Sequence, residues 1–420
     1  MLTRVYFDHI DEELYTGVVK GLRVNIIPKR GYVKSFAMLA TKFGSNDIEF
    51  SKGNGAMKEY PKGIAHFLEH KLFEQEEGNI FDKFAERGAS PNAFTNFQLT
   101  TYYYTSTEGF EENLKLLVNF VYNPHLTEEN VNKEKGIIEQ EIRMYDDNPN
   151  FRVYYNTLES MYFDHPVQYD IAGTVESIYE ITPELLYECY NTFYVPENMV
   201  MTIVGDVNIE ALEKVLEENV PEDRNKADFN VRSYAEKGTV KNKAVSKKMG
   251  LSIPNFMIGF KDSPEGAEKE NWVKRKLQMD ILCRMLFSRS SALYEKLYDS
   301  GLINESFSYE YTLEKDYCHL LIGGESREPQ KVMDEIRNYM KKDNILGMEA
   351  FDRVKKTLTG SFISRFNSIE GLGNFMNDYF IRGINPFDYY NYLKAVEEKE
   401  IRKRLEFIND DTRWVISIVE

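Results

Sequence analysis

An α+β fold built from two homologous repeats is predicted by three observations. The 420 residues are 42% hydrophobic and 14% aromatic, enough for a sizeable core, for two domains of ordinary size, and against disorder as the main state. Strand-like alternation and helical spacing follow one another along the chain. A polar stretch at 221–237 divides it, and the order of elements then recurs.

The first half opens with an alternating strand, Gly21 to Pro28, after a turn glycine, and a second strand runs from Lys34 to Phe43. Polar residues around 44–60 predict a loop. Pro61 then starts a helical pattern, with Ile64, Phe67, Leu68 and Leu72 at helical spacing between Gly63 and Glu74. Asn79 to Arg87 is a second helix, closed by Gly88. Asn92 to Thr105 reads as strand, rich in Phe, Thr and Tyr, with Tyr102, Tyr103 and Tyr104 as packing residues. An amphipathic helix follows from Phe110 to Tyr122. Thr127 caps another, which runs to about Tyr145 and must stop before Pro149. Pro183 to Phe193 is helical, Asn198 to Gly205 is a buried strand, and Ile209 to Asn219 is a helix.

Beyond the polar stretch, Phe256 to Lys261 reads as strand and Trp272 to Phe287 as a long helix. Tyr317 to Gly323 resembles the strand at 101–107, and a helix follows each, at 329–341 and 110–122. Lys355 to Phe366 sits where Glu134 to Tyr145 sits. The closing strand Thr412 to Val419 echoes Met199 to Val204. Residues 1–220 are therefore the first repeat, 221–237 a linker, and 238–420 the second repeat, which has no metal site of its own.

Lysine and arginine number 52 against 68 acids, a net charge of −16, which argues against a general nucleic-acid or anionic-membrane binder. No apolar run approaches the roughly 20 residues of a spanning helix. Met1 to His9 carries charge where a signal peptide needs an apolar run, so no export signal is expected. Cys189, Cys283 and Cys318 are far apart and odd in number, which excludes a disulfide framework or a Cys-rich zinc site and fits a reducing, cytoplasmic compartment.

Histidine is scarce: His9, His66, His70, His125, His165 and His319. Two of the six lie four apart, in His66-Phe-Leu-Glu69-His70. On a helix both imidazoles share a face and can reach one metal ion, and Glu69 lies on the same turn as His70, within reach of a metal-bound water. The plain alternative is a helix with two packed or solvated histidines. A catalytic zinc centre needs a third protein ligand, and no other histidine has suggestive spacing. The helix after Thr127 offers Glu134, Glu139 and Glu141. Glu134 and Glu141, seven apart, share a face with Ile137, Ile138 and Tyr145, while Glu139 falls on the far side as a solvated charge. Carboxylates on an apolar stripe need a reason, and a cation is one.

With these residues on the page, the chain resembles the pitrilysin/insulinase family of zinc peptidases, which includes insulysin and the mitochondrial processing peptidase. The order His-x-x-Glu-His is the inverzincin signature. The segment Gly63 to Phe73 matches the family's zinc helix, Gly88 to Thr95 its substrate strand, and Glu134 to Glu141 the helix with the third ligand. The resemblance covers nearly the whole chain and is nearest to bacterial cytoplasmic members. It implies repeats that are each a largely antiparallel sheet with helices on one side, enclosing half of a peptide chamber. It implies a zinc metalloendopeptidase with His66, His70 and Glu141 as ligands, Glu69 as general base and Glu134 as the accessory glutamate, counted with Glu69 among the catalytic residues. Asn92, Ala93, Phe94 and Thr95 would bind substrate, by adding a peptide to an exposed sheet edge.

One stretch departs from the family. Members that act alone carry an Arg and a Tyr, seven apart, in the second repeat. Here Ser291 to Asn304 holds no arginine; Tyr298 or its neighbours stand at the Arg position, Ile303 or Asn304 at the later Tyr, and Arg289 has no Tyr seven residues on. The resemblance then implies the zinc-bearing half of a heterodimer, whose paralogous partner supplies the pair. Two other readings compete: a non-catalytic scaffold subunit of the same fold, and a peptide-binding factor with a structural metal.

Overall fold

In the computed structural model, which describes residues 1–76, 78–222, 228–266, 268, 270–342 and 345–420, seven strands of the first half form one sheet. They are β1 (Thr3–Phe7), β2 (Glu12–Val19), β3 (Leu22–Pro28), β4 (Ser35–Thr41), β5 (Ala89–Thr95), β6 (Thr100–Ser106) and β7 (Met199–Gly205). Their order is β1-β2-β3-β7-β4-β6-β5, with β5 at an edge; only β3 and β7 run parallel. Five more strands form the second large sheet: β8 (Ala244–Lys247), β9 (Asn255–Lys261), β10 (Ser308–Leu313), β11 (Cys318–Glu325) and β12 (Trp414–Val419). Their order is β8-β12-β9-β11-β10, and only β8 and β12 run parallel. The run β3-β7-β4-β6-β5 and this sheet agree strand by strand in order and sense. Duplication of one α+β unit explains that agreement.

The helices that matter below are α1 (Ile64–Leu72), α2 (Phe110–Tyr122), α3 (Glu128–Asp146), α4 (Pro149–Met161), α5 (Met348–Arg365) and α6 (Ile369–Phe380). Strand β4 is buried along its whole length because both of its faces are covered. Ala37 and Leu39 join the core formed with Leu114, Leu117 and Val121 of α2. The alternate residue Phe36 meets α6, where a Cβ on Gly373 would come within 2.4 Å of the Phe36 ring. Helices were expected on one side of each sheet; α6, from the other half of the chain, adds a layer on the opposite face. The second sheet receives α4 in return: a Cβ on Gly259 of β9 would lie 2.4 Å from Met161 Cε. Each exchanged helix directly follows a long one, α4 after α3 and α6 after α5. The compact units therefore take segments from both halves, namely Met1–Ile142, Asp170–Arg232 and Ile363–Phe387 in one, and Arg143–Tyr169, Ser233–Phe362 and Asp388–Glu420 in the other. The repeat boundaries expected at 220 and 238 follow the chain, whereas the units follow this exchange.

Two local expectations change and a third is extended. The stretch Asn92 to Thr105 is a hairpin rather than one strand. Asn96 Oδ1 accepts the Gln98 and Leu99 N–H groups at 2.8 and 2.9 Å, an Asx turn that reverses the chain between β5 and β6. The loop at 44–60 contains a strand, Glu49–Lys52, paired with Phe229–Val231 from the stretch taken as linker; residues 223–227 of that stretch lie outside the described residues. Pro149 does more than end α3. It is the first residue of α4, capped by Asn148, whose side chain accepts from Asn150 and Phe151.

The second unit holds a buried carboxylate that ties its segments together. Glu236 accepts the N–H groups of Phe163, Asp164 and His165 at 3.2, 2.7 and 2.7 Å, and Lys261 Nζ at 2.7 Å. Removing it strands three donors and a buried ammonium. Glu236→Ala is expected to cost about 3–5 kcal/mol in urea unfolding of the metal-free protein. A loss below about 1 kcal/mol would mean that water replaces the carboxylate.

Candidate metal centre

The helix carrying both histidines begins at Gly63, whose φ of 86° suits glycine. Any Cβ there would sit 2.2 Å from the Ala172 carbonyl oxygen, so glycine allows the backbone approach that sets the start of α1. Ile64, Phe67, Leu68 and Leu72 are at most 1% exposed. Burying each contributes about 2 kcal/mol, which fixes the helix on the core and leaves His66 and His70 on its other face. Their rings meet edge to face, with centroids 4.5 Å apart.

Helix α3 starts at a reciprocal cap: Asn130 N–H donates to Thr127 Oγ1 at 3.2 Å, and Thr127 N–H to Asn130 Oδ1 at 3.0 Å. Its buried stripe is Val131, Glu134, Ile138 and Ile142. Ile137, expected on that stripe, is 48% exposed and lines a cleft at its margin. The two carboxylates of this face have different neighbours. Glu141 Oε1 lies 3.9 Å from His66 Nε2, and Glu141 Oε2 lies 3.7 Å from His70 Nε2. One ligand atom from each of these three residues falls within 4.8 Å of the others, the only such cluster among the described residues. Glu134 Oε1 instead meets the other nitrogen of that ring, His70 Nδ1, at 3.0 Å. Glu134, expected among the catalytic residues, makes its contacts here with His70 and, through Oε2, with Lys71 at 3.4 Å. Glu139 stands apart and accepts the Tyr179 hydroxyl at 2.7 Å.

Glu69 is 8% exposed, and its Oε2 accepts the Thr95 hydroxyl at 2.7 Å. Thr95, expected to contact substrate, thus orients the carboxylate beside the histidines. Sequence spacing gave no sign of this pairing, because it depends on where the hairpin turn falls. Strand β5 ends at Thr95 and leaves its outer edge unpaired within the sheet. Ala93 N–H is held by Asn92 Oδ1 at 2.8 Å, which blunts the edge, and the Phe94 ring contacts Tyr103. A cleft of about 690 Å³ runs along this edge, lined by Glu69, His70, Asn92, Ala93 and Glu134 among others.

The local charges have definite consequences. Burial, and then the proximity of His70, holds the His66 imidazole down at about 3, so it is neutral with a lone pair to offer. Burial alone would lower His70 as well. Its bond to Glu134 and the charges of Glu69, Glu134 and Glu141 outweigh that and raise it. Burial raises Glu69 above the usual carboxylate range despite the Thr95 bond. Glu141 is raised by burial too, only partly offset by His70. Burial works the same way on Glu134, but His70 and Lys71 overcome it and hold Glu134 below its ordinary value.

In the second unit, Ser291 caps the helix Ala292–Asp299, and Tyr298 is exposed, stacked on Tyr294. Ile303 is buried, Asn304 donates to Glu325 at 2.8 Å, and Arg289 is exposed. Among the described residues, no helix is long and apolar enough to cross a membrane.

Known proteins resemble this chain in sequence and fold. Residues 50–175, which include every residue of the centre, match the family model described as Insulinase (Peptidase family M16), and residues 180–358 match that described as Peptidase M16 inactive domain. YmfH of Bacillus subtilis (strain 168), described as an uncharacterized zinc protease, is 38% identical over 97% of this chain and 96% of that protein. The zinc protease PqqE of Helicobacter pylori is 26% identical over 80% of this chain and 78% of its own length. A crystal structure described as that of an M16-like peptidase from Alicyclobacillus acidocaldarius superposes with a TM-score of 0.92 at 35% identity, covering 97% of this chain and 98% of that one. The chain belongs to the insulinase family of peptidases, M16.

Proposed function

We propose that this chain is a zinc metalloendopeptidase that hydrolyses peptides or unfolded segments in the cytoplasm, as the catalytic subunit of a heterodimer. The observation that carries the reading is the convergence of His66 Nε2, His70 Nε2 and Glu141 beside the Glu69 carboxylate. The donor set suits zinc. Two neutral imidazole nitrogens and one carboxylate oxygen are common zinc ligands, and tetrahedral bonds of about 2.0–2.2 Å place ligand atoms roughly 3.4 Å apart. The distances of 3.9 and 3.7 Å need only a small inward turn of the side chains. A scaffold subunit would have no use for this set, and three buried free cysteines suit a reducing compartment.

When bound, zinc would supply Lewis acidity towards a water and a peptide carbonyl. The protein does the rest. An extended peptide adds to the outer edge of β5 by backbone hydrogen bonds, which asks little of its sequence. Glu69 takes a proton from the attacking water at its carboxylate and delivers it to the leaving amine. Thr95 holds that carboxylate in place, and Glu134 holds His70 by Nδ1.

The test compares two glutamates on α3. Glu141→Gln is expected to lose bound zinc and hydrolysis of fluorogenic peptides, while Glu139→Gln keeps both. Equal zinc in the two variants would remove Glu141 from the ligand set.

A further inference from the structure

Lys71 follows His70 directly on α1, and its side chain is 0% exposed. An apolar side chain in an enclosed place needs no partner, whereas a buried ammonium costs several kcal/mol unless it is paired. Two carboxylates meet it. Lys71 Nζ bonds Glu74, just past the end of α1, and reaches Glu134 Oε2 at 3.4 Å. Glu134 thus has one oxygen on Lys71 and the other on His70 Nδ1 at 3.0 Å. Lys133 lies 3.7 Å from the second oxygen of Glu74, so the contacts run Lys133, Glu74, Lys71, Glu134, His70.

A carboxylate held only by an imidazole can swing about its side-chain bonds. One held also by an immobile ammonium cannot. His66 supplies the contrast, since its buried Nδ1 has no hydrogen-bond partner among the described residues. His70 is the imidazole whose tautomer depends on a partner, and that partner is fixed through Lys71. A ligating imidazole almost always has its second N–H accepted in this way, and of the two histidines it is His70 that has such an acceptor among the described residues. We propose that Lys71 is a positioning residue of the metal centre: it anchors Glu134, which holds His70 as the Nδ1–H tautomer with Nε2 turned towards Glu141 and His66. This inference rests on the metal centre proposed above.

The experiment uses Lys71→Met in the full chain, with zinc affinity read by chelator competition and the His70 tautomer read by ¹⁵N NMR of the metal-free protein at a pH high enough to leave that imidazole neutral. Wild type is expected to bind zinc and show one Nδ1–H tautomer. Lys71→Met is expected to bind about tenfold more weakly and show a mixture of tautomers. In a Glu134→Gln background the same substitution is expected to weaken binding by less than about threefold, because the residue through which it acts has already changed. Wild type without zinc affinity would refute the metal centre itself. Wild-type affinity and a single tautomer in Lys71→Met would overturn only the role of Lys71, as would an equal loss in both backgrounds. If Lys71→Met does not fold, Glu74→Gln decides. It leaves Lys71 on Glu134, so affinity should hold within about threefold, and a tenfold loss would assign the effect to the buried cluster as a whole.

Discussion

Glu69→Gln is expected to lower peptide hydrolysis by about 10³-fold while zinc stays bound. The change is isosteric and removes one capacity only, that of taking a proton. The amide oxygen of the substituted side chain would still accept the Thr95 hydroxyl, the contact made at 2.7 Å by the native carboxylate, so the helix and its two imidazoles should not move. Of the other carboxylates of the centre, Glu141 belongs to the proposed ligand set and Glu134 is engaged by His70 and Lys71, so neither can take over. General-base catalysis by a placed carboxylate is worth about 10²–10⁴, which puts the expected loss near the middle of that range. The turnover number should carry the loss, with the Michaelis constant unchanged within a few-fold, since a peptide on the β5 edge is held by backbone bonds that Glu69 does not make. Metal analysis and steady-state kinetics on the same preparation check it. If metal disappears along with activity, Glu69 belongs to the ligand set and the base must be sought elsewhere.

The centre was legible in the sequence because its signal is local. His66 and His70 are one helical turn apart, and any helix brings them to one face. Pairing Glu134 with Glu141 needed only the same arithmetic over two turns. Their different contacts could not be read that way, since both share a stripe and the choice depends on how α3 lies against α1. Ile137 shows the limit from the other side: by spacing it belongs to the stripe, yet it is exposed at the cleft. The hairpin β5–β6 was read as one strand because its turn, Asn96 to Leu99, contains neither glycine nor proline and is closed by an asparagine side chain. Proline at 149 marked the end of α3 but not the start of α4, since a helix stop and a helix start use the same residue. The duplication was visible in the order of elements. The exchange of α4 and α6 was not, because nothing in a helix's own pattern names the sheet that it covers. Lys71 did carry a signal that went unused, a charge set directly between His70 and Leu72 on a helix whose other polar residues are His66, Glu69 and His70.

The purified chain is expected to be a weak peptidase and to gain on the order of a hundredfold when a paralogous partner is added. As water attacks a peptide carbonyl, negative charge builds on the carbonyl oxygen, and a preorganised donor that meets this charge is worth about 10²–10³ in turnover. The cleft beside Glu69 offers little of that kind. Lys133 is the one cation among its described lining residues, and it already lies 3.7 Å from Glu74. Lys71 is enclosed and bonded to two carboxylates. The second repeat has no arginine between Ser291 and Asn304, and its exposed Tyr298 carries a phenol rather than a cation. A homodimer brings no arginine of that stretch to either copy. A relative that keeps the Arg and Tyr would supply both donors to one centre per complex. The measurement is a titration of such a partner at fixed enzyme, followed by substitution of the partner's arginine, which should return the rate to that of the chain alone. Zinc content should stay constant through the titration, since the partner contributes to turnover and not to the ligand set. Full activity of the purified chain without a partner would sink the shared-site reading and turn attention to Arg289 as a donor within the chain itself.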